Sequence, residues 1–435
     1  MDAPTPWREY AIVTASTGVL ALGIGAVVPV LPLFVRDAAT ASVQGTDQGV
    51  NTAVGLAMAA PSLTRALFNA PTASIADRYG RVPPMVLGPL AVSLSQLGTA
   101  CATTVTEVVP WRLLLGAGQA MQGTSGQLLL ADLTARAPET RARVMGATQV
   151  AFLAGFSMGP GLGGYLAEKH GPASAFYAVA TGCAVCAGLN ALLKETKPPF
   201  ADETVRKVTP NGGDSEGGAS ATAQQAAPAT GLAAYREQLQ RSDVQAAAIV
   251  QLASSWTMGG GFVLTPHLLA DVYGFTPASI GAQFTLQAIA SLLGSMAGSY
   301  VADKYGRKVV IVPTMLAQGI CTLAMACAGS DPTFFVGSML IRSLALGAFL
   351  PGNSAYAADI ARTPEERGKV LAVTRTTGDV GQLLGPVVAG VVADHSGPVA
   401  SLAMLGGVNV AAAVAFFARA HESLRAPGGP SAKLR

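Results

Sequence analysis

The chain has 435 residues, 50% of them hydrophobic and only 12% charged, where an ordinary soluble domain carries about a quarter charged residues. That balance excludes a soluble enzyme, and a net charge of +3 is too small to point to nucleic acid. The five cysteines, Cys101, Cys183, Cys186, Cys321 and Cys327, all fall in apolar blocks without a histidine cluster. They read as packing residues and not as a disulfide framework, a redox pair or a metal site.

A membrane-spanning helix needs about 20 apolar residues in a row. Runs of that kind, bounded by charge, Pro and Gly, lie near 11–35, 50–74, 83–103, 108–131, 143–166 and 174–193, then near 244–266, 278–301, 309–328, 333–357, 370–393 and 399–418. The fold class expected is an all-α membrane protein with twelve transmembrane helices in two pseudo-symmetric six-helix bundles (6+6), residues 1–195 and 244–420. Between them, 196–243 holds Pro198, Pro199, a Gly/Ser/Asp/Glu-rich run at 211–218 and an Ala/Thr/Gln stretch. Such a segment cannot bury enough apolar surface to fold alone and reads as a flexible cytoplasmic linker, with 421–435 a cytoplasmic tail.

The Lys and Arg residues are divided unevenly. The tails, the linker and the loops after spans 2, 4, 8 and 10 hold 22 of the 28, the other side holds two (Arg36 and Lys169), and four (Arg65, Arg112, Arg342 and Arg375) lie within spans. The positive-inside rule therefore puts both termini in the cytoplasm.

An internal repeat runs through the chain at an offset of 226 residues. Asp77-Arg78-Tyr79-Gly80-Arg81 recurs as Asp303-Lys304-Tyr305-Gly306-Arg307, Pro138-Glu139-Thr140-Arg141 as Pro364-Glu365-Glu366-Arg367, and Gly159-Pro160 as Gly385-Pro386. Two parallel six-helix repeats about an axis along the membrane normal form an architecture of secondary transporters, with a site near the midplane.

These repeated residues resemble the major facilitator superfamily over the whole chain apart from the linker. Its loop motif opens with Gly four residues before the aspartate, where this chain has Ala73 and Ser299. The end of span 1, Gly23-Ile24-Gly25 through Pro32 with Arg36-Asp37, is similar to the first helix of the tetracycline/proton and multidrug antiporters. Arg112 matches that branch's membrane arginine, and Gly155, Gly159, Pro160, Gly161, Gly163 and Gly164 in span 5 resemble its antiporter motif. The resemblance implies that Asp77 latches span 11 of the other half in one state, that Arg81 pairs with Asp132, and that Asp303, Arg307 and Asp359 form the counterpart. Static loop architecture is the alternative for these residues, as tight packing is for the glycines of span 5. Gly159-x-Gly161-x-x-Gly164 also spells a dinucleotide fingerprint, but no strand precedes it.

The charges within spans are expensive and so mark candidate sites. Arg112 shares a helix face with Gln119 and Gln122, and Arg342 with Phe349 and Asn353, so each stripe is a candidate lining of a polar cavity; snorkelling to the outer surface is the alternative for both arginines. Arg375 and Asp379 stand four apart in span 11, where their twins are Gln149 and Leu153 (375 − 226 and 379 − 226). They read either as a permanent intrahelical pair or as a proton-coupling acid with a releasable partner. Arg65 likewise has Ser291 as its twin. The tetracycline antiporters carry an acid one turn before Gly-x-Gly in span 1; here Leu20 stands there, and span 9 has none. Asp379, or Glu107 near the outer end of span 4, is then the acid left for coupling. His267 at the outer end of span 7 is a candidate pH sensor. Trp256, Phe152, Phe156, Phe262, Phe284 and Phe349 are candidate wall residues.

Together these features lead to a non-enzymatic transporter of the drug:proton antiporter branch that moves small amphipathic organic molecules by alternating access, coupled to protons. Its partners are the lipid bilayer, the small-molecule substrate and protons, with no nucleic acid, no cofactor and no metal, and a monomer suffices. An uncoupled or uptake facilitator of a metabolite is the second reading, and a membrane sensor or scaffold that transports nothing is the third.

Overall fold

The computed structural model describes residues 7–42, 49–135, 141–196, 238–361 and 363–422. Most of the expected linker and the end of the tail lie outside them, as does most of the first Pro-Glu-Thr-Arg loop. The described chain forms α1 (Trp7–Ser42), α2 (Val50–Tyr79), α3 (Val82–Cys101), α4 (Val105–Ala135), α5 (Arg141–His170), α6 (Ala173–Ala191), α7 (Ser242–Asp271), α8 (Pro277–Tyr305), α9 (Arg307–Ala326), α10 (Pro332–Asp359) and α11 (Pro364–Arg419). The last of these is two arms that turn at Gly397, whose φ of 86° only glycine adopts freely. Eleven helices thus make twelve passes.

Nine helices among the described residues are long and apolar enough to cross a membrane. The two that fall short, α2 and α4, carry Arg65, Arg112, Gln119, Gln122 and Gln127, all of which face one cavity. Their polarity thus belongs to an internal surface and not to a lipid-facing one. Local sequence fixes several starts: Asp331 accepts from the N–H groups of Thr333 and Phe334, Thr276 from Ser279 and Thr363 from Glu366. These oxygens satisfy donors that a helix N-terminus leaves unpaired.

Short connections make successive passes antiparallel. The start of α1 and the Asp77 and Asp303 loops therefore share one side, the near side; the opposite side is the far side. Packing repeats with the sequence: α1 lies on α5 as α7 lies on the first arm of α11, and α2 on α4 as α8 on α10. The halves meet through two related pairs, α2 with the first arm of α11 and α5 with α8. A core of Val27, Leu31, Val263, Leu264, Phe284 and Ala389 runs across both halves.

Glycines set the closeness of these pairs. A Cβ on Gly155, Gly159 or Gly163 would strike the backbone of Gly18, Leu22 or Ala26 in α1. Gly381 and Gly385, their twins in α11, meet Leu252 and Trp256 in α7 in the same way. Gly164 approaches the Pro277 carbonyl across the two halves, and its twin Gly390 approaches the Asn51 carbonyl, itself the twin position of Pro277. Three of the span 5 glycines, at 155, 159 and 164, thus recur as close-packing glycines of the other half at an offset of 226, whereas Gly161 and Gly163 have Val387 and Ala389 as twins.

Candidate functional site

A cavity of about 670 Å³ runs between the halves, mostly walled by α1 to α6. It extends from Arg112, Val28 and Leu31 at its far end to Val13, Leu130 and Met145 near the helix ends of the near side. Gln119 and Gln122 line it, as do Phe152 and Phe262. From the other half, Arg375 of α11 joins the wall.

Hydrogen bonds and ion pairs join the halves from mid-depth to the far side. Deepest is Arg65 Nη2 to Asp379 Oδ1 at 3.1 Å. Farther out, the N–H of Gly161 donates to Thr285 Oγ1 at 3.0 Å, His267 Nε2 lies 3.1 Å from the Pro32 carbonyl, and Arg36 Nη1 meets Asp271 at 2.5 Å. Two carboxylates close the far rim. Asp394 accepts from the N–H groups of Asn51 at 3.0 Å and Thr52 at 2.8 Å, and from their side chains; Glu168 accepts from the N–H of Ala278 at 3.0 Å. Asp394 and Glu168 are twins (394 − 168 = 226), as are Ala278 and Thr52 (278 − 52 = 226). Each acid thus sits on the positive N-terminal end of a helix in the other half.

Asp379 pairs with Arg65 of the other half, not with Arg375. The intrahelical pair expected from the i, i+4 spacing is not made among the described ion pairs, because α2 crosses α11 at this height and offers a guanidinium to the carboxylate. Arg375 is exposed toward the cavity instead.

Arg112 is 6% exposed; its Nε donates weakly to the Ala57 carbonyl at 3.4 Å, and its Nη1 is buried without an acceptor among the described residues. Arg342 in the second half behaves alike, with Nη2 3.3 Å from Gln287 Oε1 and Nε unaccepted. Each reaches a residue 55 positions back (112 − 57 and 342 − 287) in the helix two before its own. Neither snorkels to a surface, so the outer-anchor alternative does not describe this conformation.

Other candidates fall elsewhere. Phe349 is fully buried in the second half with Ile311, Met315 and Tyr356, and does not line the cavity. Asn353 is also buried and donates from Nδ2 to Gln251 Oε1 at 2.8 Å. Trp256 is half-buried, with its indole N–H unaccepted among the described residues. The α10 stripe thus faces its own bundle, with Phe349 against α9, Asn353 on α7 and Arg342 on α8. Glu107 sits at the far rim, where the Thr103 N–H at 2.8 Å, helped by the threonine hydroxyl, holds its carboxyl below the ordinary carboxylate range.

On the near side the loop motif is built twice. Arg81 joins Asp77 at 2.5 Å and Asp132 at 3.1 Å; Arg307 joins Asp303 at 2.8 Å and Asp359 at 3.1 Å. Arg78 lies over the Tyr79 ring, 5.5 Å from its centre. The Asp77 side chain is 68% exposed and its ion pair is within its own half, so the latch to span 11 implied by the resemblance is not made in this conformation.

Two acids escaped the sequence reading. Glu195, just after α6, accepts from the N–H groups of Arg81 and Val82 at 2.9 and 3.0 Å; Glu422, just after α11, accepts from those of Arg307 and Lys308 at 2.8 and 3.0 Å. Gly80 and Gly306, at φ 106° and 115°, must lack a side chain both for that backbone and because a Cβ would enter these carboxylates. An offset of 227 between the two acids was the signal available in the sequence.

The sequence profile described as Major Facilitator Superfamily matches residues 13–236 and 246–434. Multidrug resistance protein 1 of Bacillus subtilis is 31% identical over 159 residues, 37% of this chain and 38% of that protein, so the match spans well under half of the relative. Multidrug resistance protein 2 of the same organism is 23% identical over 390 residues, 88% of each chain. Among solved structures, a bacterial homolog of the human lysosomal transporter Spinster, in an inward-facing and occupied conformation, superposes with a TM-score of 0.77 at 15% identity, covering 96% of this chain and 97% of that one.

Proposed function

Since the chain belongs to the major facilitator superfamily, we propose that this multi-pass membrane transporter exports small amphipathic organic molecules in exchange for protons, by rocking its two halves about the cavity. The observation that carries the reading is the Arg65–Asp379 pair, which ties the halves at the cavity wall at 3.1 Å. A carboxylate whose only described ionic partner belongs to the other half gains or loses that partner as the halves move. Protonation and access then become linked, as coupled transport requires. The relatives named for multidrug resistance support export.

The Lys and Arg excess of the near side supports cytoplasmic termini. With the far rim closed by Asp394 and Glu168, the conformation described is then inward-open. The near-side loops, including Asp77, would exchange partners in the outward-open state, and one chain suffices for the cycle.

An uncoupled facilitator is the second reading, and the apolar Leu20 on the cavity wall favours it. The deciding experiment reconstitutes the full chain in liposomes and follows a panel of amphipathic dyes and drugs, with and without a pH gradient, for the native chain and Asp379→Asn. Gradient-driven movement lost in Asp379→Asn, with binding kept, is the expected result. Movement indifferent to both gradient and substitution overturns antiport and leaves the facilitator.

A further inference from the structure

The charge of the cavity wall is one-sided. Arg65, Arg112 and Arg375 line it, and no acid stands among the described lining residues. Asp379 behind Arg65 neutralises one guanidinium. Two positive charges remain, one at the far end and one on the α11 wall. Arg112 is the informative member: it is more than nine-tenths buried, its best acceptor is a carbonyl at 3.4 Å, and its Nη1 has none among the described residues. A buried charge without a counterion is costly. An anion arriving in the cavity supplies what the described protein leaves out, and the planar guanidinium suits a two-oxygen ligand.

We propose that the substrates are amphipathic organic anions, their carboxylate or sulfonate held by Arg112 and drawn in by Arg375, their apolar body resting on Leu20, Phe152 and Phe262. The proposal rests on the transporter reading for its physiological meaning, and on the cavity alone for its chemistry. A cationic amphiphile meets net repulsion in this wall, so selectivity runs against positively charged compounds.

The test is calorimetric binding to the full chain in nanodiscs at neutral pH, with three compounds of one shape: naphthylacetate, its methyl ester and naphthylethylamine. The carboxylate is expected to bind about 10- to 100-fold more tightly than either neighbour, the range of one charge-assisted contact. Arg112→Gln should remove that preference, bringing the carboxylate to within a few-fold of the ester. Arg375→Glu, at an exposed position that leaves packing intact, should weaken the carboxylate and strengthen the amine. The inference is overturned if the carboxylate binds no better than the ester or amine, if it fails to bind up to millimolar concentration, or if Arg375→Glu leaves the ratio unmoved. Flux in liposomes is read separately. Selective binding without flux sinks the transporter reading alone, and flux of the amine in place of the carboxylate sinks the anion inference alone.

Discussion

Arg65 on α2 and Asp379 on α11 form an ion pair of 3.1 Å between the two halves, and neither charge has a charged twin in the repeat, where Ser291 and Leu153 stand. The repeat is otherwise kept at its loop motifs, at the close-packed glycines 155, 159 and 164, and at its far rim. This pair is therefore an asymmetry added to a symmetric frame. Both side chains are partly exposed, at 34% and 26%, so the pair contributes about 0.2–1 kcal/mol, as solvent-screened pairs do. An interaction that weak can be broken and remade in each cycle.

Asp379→Asn removes the charge and the titrating group without removing volume. It is expected to abolish accumulation driven by a pH gradient while substrate counterflow, which needs no net proton movement, persists. In a double-mutant cycle with Arg65→Gln, the coupling in the inward-open to outward-open equilibrium should stay within about 1 kcal/mol. Loss of counterflow in Asp379→Asn would instead assign the acid to the substrate site.

The near-side clamps predict a stability effect that is shared by the halves. Each of Glu195 and Glu422 accepts two backbone N–H groups at the start of a helix. Glu195→Gln or Glu422→Gln should each lower stability by about 1 kcal/mol, and the double substitution should add the two effects, since the N–H groups they accept from belong to separate helices in different halves. Thermal unfolding in detergent reads this directly; a midpoint unchanged in both single variants would mean that the loops hold without their carboxylates.

The far rim carries a prediction about access. Asp394 and Glu168 each cap a helix of the opposite half. Replacing both, Asp394→Asn with Glu168→Gln, removes the two charge–dipole contacts and tilts the balance toward far-side opening. A cysteine at Val28, on the far part of the cavity wall, in a chain whose native cysteines are replaced, should then react several times faster with an impermeant thiol reagent added to the far side. Unchanged labelling would show that apolar packing, not these acids, closes the rim.

Much of the fold was legible because lipid constrains sequence strongly: apolar runs, the Lys and Arg imbalance and the offset of 226 all follow from where the chain meets water. Arg112, Gln119 and Gln122 were legible as a cavity stripe because polar residues seven and ten apart share a helix face. The same argument failed for Phe349 and Asn353, since a stripe states which face is polar and not what lies opposite it. The partner of Asp379 was missed for a similar reason: local spacing favoured Arg375, and only the crossing of α2 and α11 brings Arg65 nearer. Glu195 and Glu422 lie just beyond helices, where an acid gives no signal until the helix whose start it caps is known.

The span 5 glycines yield the sharpest contrast between a packing role and a family-specific one. A methyl group on Gly159 would enter the Leu22 carbonyl, and one on Gly385 would enter the Trp256 carbonyl, whereas Gly123 in α4 has nothing within 4 Å of its position. Gly159→Ala and Gly385→Ala force the helices apart and should each cost about 1–3 kcal/mol, the range for overpacked interiors. Gly123→Ala should be neutral or slightly stabilising, because alanine restricts the unfolded chain and favours helix. The measurement is folded yield and thermal midpoint for the three variants, followed by transport per folded molecule. Equal losses at Gly159 and Gly385 follow from the shared geometry. A loss of transport confined to Gly159→Ala, with both variants folded, would restore a special role to span 5 that its packing does not explain.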